Sequence, residues 1–419
     1  MSILKRMKNK KTLVYFSDCV FFAGCENMIP NFLNSKELNN IYNIHFIYRE
    51  SEDYERELKK RLNSNDINCI PLALPKQDVH RELLKRVKNI PLLYKGLGAF
   101  VLFFWKYYAI IYSIFPLYKA FKKLDASIIH INNGGYPAAN TGYSAVFAAR
   151  LYGVKKIIYV VNNIAQDYKS PLRWLDRIID PYIGNKVTTF ITGSKNAGKA
   201  LVKVLNLPEY KIVNISNGVK IRDLTIEKAE YLQELNIDLK GRLLFSTIAL
   251  LEKRKGHIYL LKAIKLMKES ESLSGDLPYF IIEGQGSEKA LLEKYIGEND
   301  LDNDVKLIGN TSHIFNLINA SDVIVLPSIA NEDFPNVIIE AMSLGKPTIG
   351  TRIAGIPEQI DHDRNGYVVN PCDEKDLCEH VIKLMNKEKI KAFSEEAKKK
   401  FDANYNVSVS VKNYINIYK

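Results

Sequence analysis

Short apolar runs alternate with amphipathic stretches along most of the chain. Thr12–Ser17, Ile44–Tyr48, Ile67–Leu74, Ser127–Ile131, Lys156–Val161, Thr188–Thr192 and Lys211–Ile215 read as strands in the first half. Leu243–Ile248, Tyr279–Ile282, Val305–Gly309, Val323–Ser328, Pro347–Thr351 and Tyr367–Val369 repeat the pattern in the second. Between them lie helical patterns such as Asp53–Leu62 and Ile258–Met267, whose apolar residues recur at helical spacing. Strands that alternate with helices predict parallel sheets with helices on both faces. At 419 residues, the chain has room for two or three domains, each with its own core.

The most apolar stretch is Leu97–Tyr118, interrupted by Lys106 and containing Pro116. A bilayer takes about 20 apolar residues to cross, so length alone permits a spanning helix. Spanning would put the strands before it and the strand at Ser127–Ile131 on opposite sides of the membrane and break the sheet. A buried or interface-lying helix is therefore expected.

Ligands of open parallel sheets bind at the carboxyl ends of the strands. Ser127–Ile131 ends at Asn132, Asn133, Gly134, Gly135 and Tyr136, and Lys156–Val161 ends at Asn162 and Asn163. These amides are candidate acceptor contacts, with ordinary turn chemistry as the plainer alternative. Gly193–Ala200 comes near to a phosphate-binding P-loop. It has Ala200 where a magnesium-holding hydroxyl is required, which argues against ATP use.

The most informative stretch runs from Asn331 to Pro347. Pro335 suits the first turn of a helix, Gly345-Lys346-Pro347 is a stop, and Val337, Ile338, Ala341, Met342 and Leu344 supply a buried face. The helix is expected to start at about Pro335, with Glu332 in the loop before it and Glu340 one turn after Asn336. Two carboxylates thus flank a helix N-terminus, an end suited to a diphosphate. An ordinary capped helix with two solvated glutamates is the alternative reading of this stretch alone.

Glu332 to Glu340, with Phe334-Pro335-Asn336 and Glu340-Ala341-Met342, resembles the Glu-x7-Glu motif of the retaining, family-four glycosyltransferases of the GT-B fold. The resemblance implies an α/β protein of two Rossmann-like domains, with parallel sheets facing a central cleft. It places Glu340 on the donor ribose, Glu332 at the donor sugar, and N–H groups near Phe334, Pro335, Asn336 and Val337 on the diphosphate. Lys255-Gly256 matches the family's Lys-Gly pair. The family's partner Arg is Leu250 here, which leaves Arg254 as the substitute cation. Ala23-Gly24-Cys25-Glu26 resembles a Gly-Gly-Ala-Glu turn near the donor phosphates, of which only Gly24 carries over. Glu283-Gly284-Gln285-Gly286 resembles a Gly-x-Gly strand tip near the nucleotide, and Gly193-Ser194 resembles a strand-then-Ser turn. The family often has a His where Asn162 stands, so a general-base role is not carried over there. His130 is the substitute, against the plainer reading as a core histidine.

The net charge of +12 is unevenly placed. Residues 1–217 hold 32 Lys and Arg against 16 Asp and Glu, and residues 218–419 hold 27 against 31, which leaves +16 and −4. A basic half suits anionic lipid or nucleic acid. Five cysteines without Cys-x2-Cys spacing read as buried thiols of a reduced, cytoplasmic protein, and no apolar signal core follows Lys5–Lys11. Asp302-Asn303-Asp304 and Asp361-His362-Asp363 read as solvated turns rather than a metal site.

The expected domains are 1–217 on the acceptor side, 218–395 for the nucleotide sugar, and 396–419 as a helix crossing back. The expected reaction is sugar transfer from a nucleotide-diphosphate donor to a hydroxyl of a saccharide or lipid-linked acceptor. Glu332 and Lys255 would be catalytic, with neither cofactor nor metal, and an anionic membrane surface is an expected partner. The setting would be envelope polysaccharide or glycolipid synthesis, peripheral on the inner face of the cell membrane. A nucleotide-sugar epimerase and a nucleic-acid-binding protein are the alternatives; the acidic second half and the lack of a reading module count against the latter.

Overall fold

The computed structural model describes residues 10–22, 24–64, 67–75, 91–221, 224–270, 277–330 and 332–419; within these, the side chains at 91–100, 102, 171 and 172 are not described. Residues 5–9 of the Lys5–Lys11 run, together with Ala23 and Asn331, lie outside the described residues. The chain divides into two compact units. One runs to Ile215 and takes up Val411–Lys419; the other is Ser216–Ser410.

The first unit is built on seven parallel strands: β1 (Thr12–Ser17), β2 (Asn43–Arg49), β3 (Asn68–Leu72), β4 (Ile128–Asn133), β5 (Lys156–Val161), β6 (Thr189–Thr192) and β7 (Ile212–Asn214). Their order is β3-β2-β1-β4-β5-β6-β7. Every residue of β1 and β4 is buried, as expected where helices cover both faces, so β1 and the isoleucines of β4 show no polar alternation. β4 extends beyond the expected end at Ile131. Asn132 and Asn133 stay in register with Val160 and Val161, and the Asn162 N–H donates to the Asn133 carbonyl at 3.1 Å.

The expected apolar helix forms over Pro91–Lys123, with Pro116 inside it. Ile110, Ser113, Leu117 and Phe121 lie on its buried face, where it packs against the helix Thr141–Tyr152; Ser144 Oγ donates to the Ile110 carbonyl at 2.7 Å. Lys106, the one charge in the run, pairs with fully buried Asp176 at 2.5 Å. On the other face Phe104, Tyr108, Ile111, Tyr112 and Phe115 are each more than half exposed. Among the described residues, no helix is long and apolar enough to cross a membrane.

The second unit holds six parallel strands: β8 (Leu244–Ile248), β9 (Tyr279–Glu283), β10 (Val305–Ile308), β11 (Val323–Leu326), β12 (Thr348–Thr351) and β13 (Gly366–Val369). Their order is β10-β9-β8-β11-β12-β13. The C-terminal boundary differs from the expected 396. The helix Lys387–Asn404 stays with this unit because Ala397 and Phe401 are buried in its core with Ile338, Met342 and Ile360. The final helix, Val407–Tyr418, belongs to the first unit from Val411 onward. There Tyr414 and Tyr418 enter an aromatic cluster with Tyr15, Phe32 and His130.

Candidate active site

The exit of β8 and the exit of β11 meet at a charged cluster in the second unit. After β8 the chain turns through a short 3-10 segment, Lys253–Lys255, and then Gly256 at φ 69° before the helix His257–Lys268. A Cβ on Gly256 would stand 2.0 Å from the Pro327 carbonyl oxygen, so the close approach of the two loops depends on glycine here. The Arg254 carbonyl accepts from the Ile329 N–H at 2.8 Å and fastens the loops together.

This approach brings Lys255 to Glu332. The ammonium is hydrogen-bonded to Glu332 Oε1, to which Ser328 Oγ also donates at 3.0 Å, and Glu332 is only 7% exposed. Arg254 pairs with Glu252 at 2.6 Å and has a guanidinium nitrogen 3.8 Å from Glu332. The substitute cation thus stands at the same carboxylate, whereas Leu250 is half exposed. Ser328 carries no motif signal; its place just past β11, at the carboxyl end of a strand, is what could have marked it.

Glu332 leads through Phe334 and Pro335 into the helix Asn336–Ser343, which begins one residue later than expected because Pro335 is its extended N-cap. Phe334 is buried against Tyr405, so its side chain serves the core while its backbone stays in the loop. The Pro335 carbonyl accepts from Gln359 at 3.0 Å, and Asn336 Oδ1 accepts from Asn217 at 3.1 Å. Val337 and Glu340 are half-buried. Lys255, Arg254 and Glu332 therefore stand at the loop that enters a helix, whose first N–H groups add to the positive end. Such a site can hold an anion and place a carboxylate beside it.

Gly284, just past β9, has φ 145°, and a Cβ there would meet the Ala249 carbonyl oxygen at 2.0 Å. Neighbouring Glu283 is buried, which raises its carboxyl pKa, and it accepts from the Thr311 N–H at 3.0 Å. His257 is buried beside Lys255; burial first and then that charge hold its ring at about 4, so it is neutral at neutral pH.

In the first unit, the amides predicted as acceptor contacts bond mainly to one another and to the fold. Asn132 donates to Glu26 at 2.7 Å, Asn133 to the Tyr159 hydroxyl at 2.7 Å, and Asn162 to Asn132 at 2.9 Å. The Asn163 side chain accepts from the Ile164 N–H at 2.8 Å. His130 does not reach a strand tip. It is 1% exposed, enclosed by tilted and edge-on contacts with Tyr15, Phe32, Tyr414 and Tyr418, with Nδ1 2.6 Å from the Tyr418 hydroxyl. Burial lowers its pKa to about 3, which makes it the core histidine rather than a base.

Gly24 opens a 3-10 turn, Gly24–Glu26. Glu26 is fully buried, and with Cys19 and Cys25 it forms a group whose two sulfurs and carboxylate lie within 4.8 Å of one another. The cysteine spacing gave no sign of this. Of the two Asp-x-Asp turns, Asp361 and Asp363 are exposed as expected, but Asp304 is buried and paired with Arg242 at 2.7 Å, so only Asp302 there is solvated.

Two family models match the chain in succession: Glycosyltransferase Family 4 over residues 52–223 and Glycosyl transferases group 1 over residues 227–400. Both are transferase models, which disfavours the epimerase and the nucleic-acid-binding protein. The UDP-Gal:alpha-D-GlcNAc-diphosphoundecaprenol alpha-1,3-galactosyltransferase of Escherichia coli is 26% identical over 73% of this chain and 78% of its own length. The fold is also that of a glycosyltransferase from Rickettsia africae, with a TM-score of 0.74, 19% identity and 98% of each chain covered. Anabaena HepE, crystallised in complex with UDP, has a TM-score of 0.72 at 15% identity, covering 97% of this chain and 98% of its own. A Family 4 domain followed by a group 1 domain, on two parallel α/β sheets, makes this chain a glycosyltransferase of the GT-B fold.

Proposed function

We propose that the chain transfers a hexose from a nucleotide-diphosphate sugar to a hydroxyl of a saccharide or lipid-linked acceptor, with retention at the anomeric carbon. The observation that carries this reading is the Lys255–Glu332 pair at the entry to the Asn336–Ser343 helix, with Glu340 further along it. Glu340 holds the donor ribose, Lys255 and Arg254 meet the diphosphate with the helix end, and Glu332 faces the donor sugar. As the glycosidic bond to phosphate breaks, negative charge grows on the leaving diphosphate. Cations fixed at that point stabilise the transition state more than the ground state. Lysine and arginine supply this charge, so the donor site works without a divalent ion. Gly284 and the backbone from Phe334 to Val337 complete the donor contacts of the second unit, and Asn132, Asn133, Asn162 and Asn163 of the first unit are assigned to the acceptor.

Envelope polysaccharide assembly is the proposed setting. The E. coli relative's name specifies a diphosphoundecaprenol acceptor, and the Erwinia amylovora relative AmsK is named for amylovoran biosynthesis. Work on a lipid-borne acceptor suits a protein peripheral on the inner face of the membrane. The exposed aromatic face of the Pro91–Lys123 helix continues into exposed Lys119, Lys122 and Lys123, a combination complementary to an anionic bilayer.

A screen of nucleotide sugars by thermal shift identifies the donor, and NMR of the product reads its anomeric configuration. The donor sugar should emerge attached to acceptor with its configuration kept. Inversion, or conversion of the donor with no acceptor present, would overturn the reading.

A further inference from the structure

We propose that Cys19, Cys25 and Glu26 form a binding site for a thiophilic divalent cation of the zinc class, clamping the turn that carries Gly24. Both Sγ atoms and a carboxylate oxygen already lie within 4.8 Å of one another. Tetrahedral zinc holds sulfur at about 2.3 Å and oxygen at about 2.0–2.2 Å, which sets neighbouring ligand atoms roughly 3.5–3.8 Å apart. Closing the group onto an ion therefore needs only a small movement of two half-buried thiols. Two sulfurs select zinc over magnesium or calcium.

The surroundings of Glu26 point the same way. Its carboxyl is fully buried, and the groups that donate to it are neutral: Ser17 Oγ at 2.9 Å, Asn132 Nδ2 at 2.7 Å, the Tyr54 hydroxyl, the Cys19 thiol, and the Cys25 thiol at 3.8 Å. A carboxyl taken out of water either keeps its proton or needs opposite charge nearby, and a cation between it and the two sulfurs would supply that charge as the proton leaves. The hydroxyl and amide donors fix its orientation, as outer-shell partners of metal ligands do. The thiol protons leave to solvent on binding, and water takes the fourth tetrahedral position. The ion would tie the exit of β1 to the turn before the helix Met28–Leu33.

The test uses the full chain, purified under reducing conditions, stripped with chelator and reloaded with zinc or cobalt alone. Mass spectrometry of the gel-filtered protein should find stoichiometric zinc, and cobalt should give a thiolate charge-transfer band. Cys19→Ser and Cys25→Ser should each weaken zinc binding at least ~100-fold, since even outer-shell changes cost 10- to 100-fold. Glu26→Gln keeps the shape of the side chain and should weaken binding as well, while exposed Cys372→Ser should leave it unchanged. Zinc retained by both cysteine variants, cobalt without a thiolate band, or no uptake by the reduced protein alongside a Cys19–Cys25 disulfide in the oxidised one would each overturn the site. None of these readouts depends on sugar transfer.

Discussion

Lys255 and Glu332 form an ion pair that both loops of the candidate donor site are shaped around. Both side chains are largely buried, and Ser328 holds the same carboxylate oxygen. A buried pair of this kind is weak evidence for stability, because desolvation offsets the attraction. What it does is hold a cation and an anion in fixed places, where the proposed donor would meet both.

Donor affinity should depend on the cation and on the ribose contact. A charge-assisted hydrogen bond contributes about 1.5–3 kcal/mol. Lys255→Ala or Glu340→Ala should accordingly weaken binding of the nucleoside diphosphate by roughly ten- to a hundredfold. Isothermal titration that found the same affinity in both variants would remove them from the site.

Glu332 should act on turnover more than on binding. Glu332→Gln keeps an acceptor for Ser328 but loses the charge, so kcat should fall by about a hundredfold or more while affinity for the nucleoside diphosphate changes little. Turnover should also need neither magnesium nor manganese. If activity lost to EDTA returned with either ion but not with zinc, the metal-free donor site would be wrong.

Membrane docking should show as salt-sensitive flotation with anionic liposomes. Each lysine near the surface contributes about 1 kcal/mol, screened over a Debye length. Neutralising Lys119, Lys122 and Lys123 together should abolish flotation, and Phe104→Ser with Phe115→Ser should weaken it. Equal flotation with neutral vesicles, or none with anionic ones, would rule out the docking face.

The neutral core histidine should make stability acid-sensitive. His130 titrates near 3 in the fold against 6.5 in the open chain, so the unfolded state takes up the proton first as pH falls. Its contribution is fully present above about 6.5 and is lost progressively as pH falls toward 3. At pH 5 the loss is about 2 kcal/mol. The groups facing it are the un-ionised phenols of Tyr15, Tyr414 and Tyr418. In His130→Phe, urea unfolding at pH 7 and pH 5 should differ by less than in the parent; an unchanged difference would refute the assignment.

The apolar runs alone determined the strands and their parallel arrangement, since a strand covered on both faces has no polar alternation to disguise it. The Glu332–Glu340 spacing, Pro335 and Gly256 marked the two loops of the candidate site because their backbone demands are local. Pairing partners were not local. That Lys255 meets Glu332, that Arg254 stands where Leu250 cannot serve, and that Ser328 joins them depends on which strand exits lie side by side. His130 shows the limit most clearly. Its sequence position, two residues before a strand tip, suited a base, but strand periodicity could not say that Tyr414 and Tyr418 from the last helix would enclose it. Cys19, Cys25 and Glu26 carry no recognisable spacing, and only the turn at Gly24 gathers them. Sequence periodicity records which residues avoid water; which buried polar groups meet is decided by the packing of distant elements.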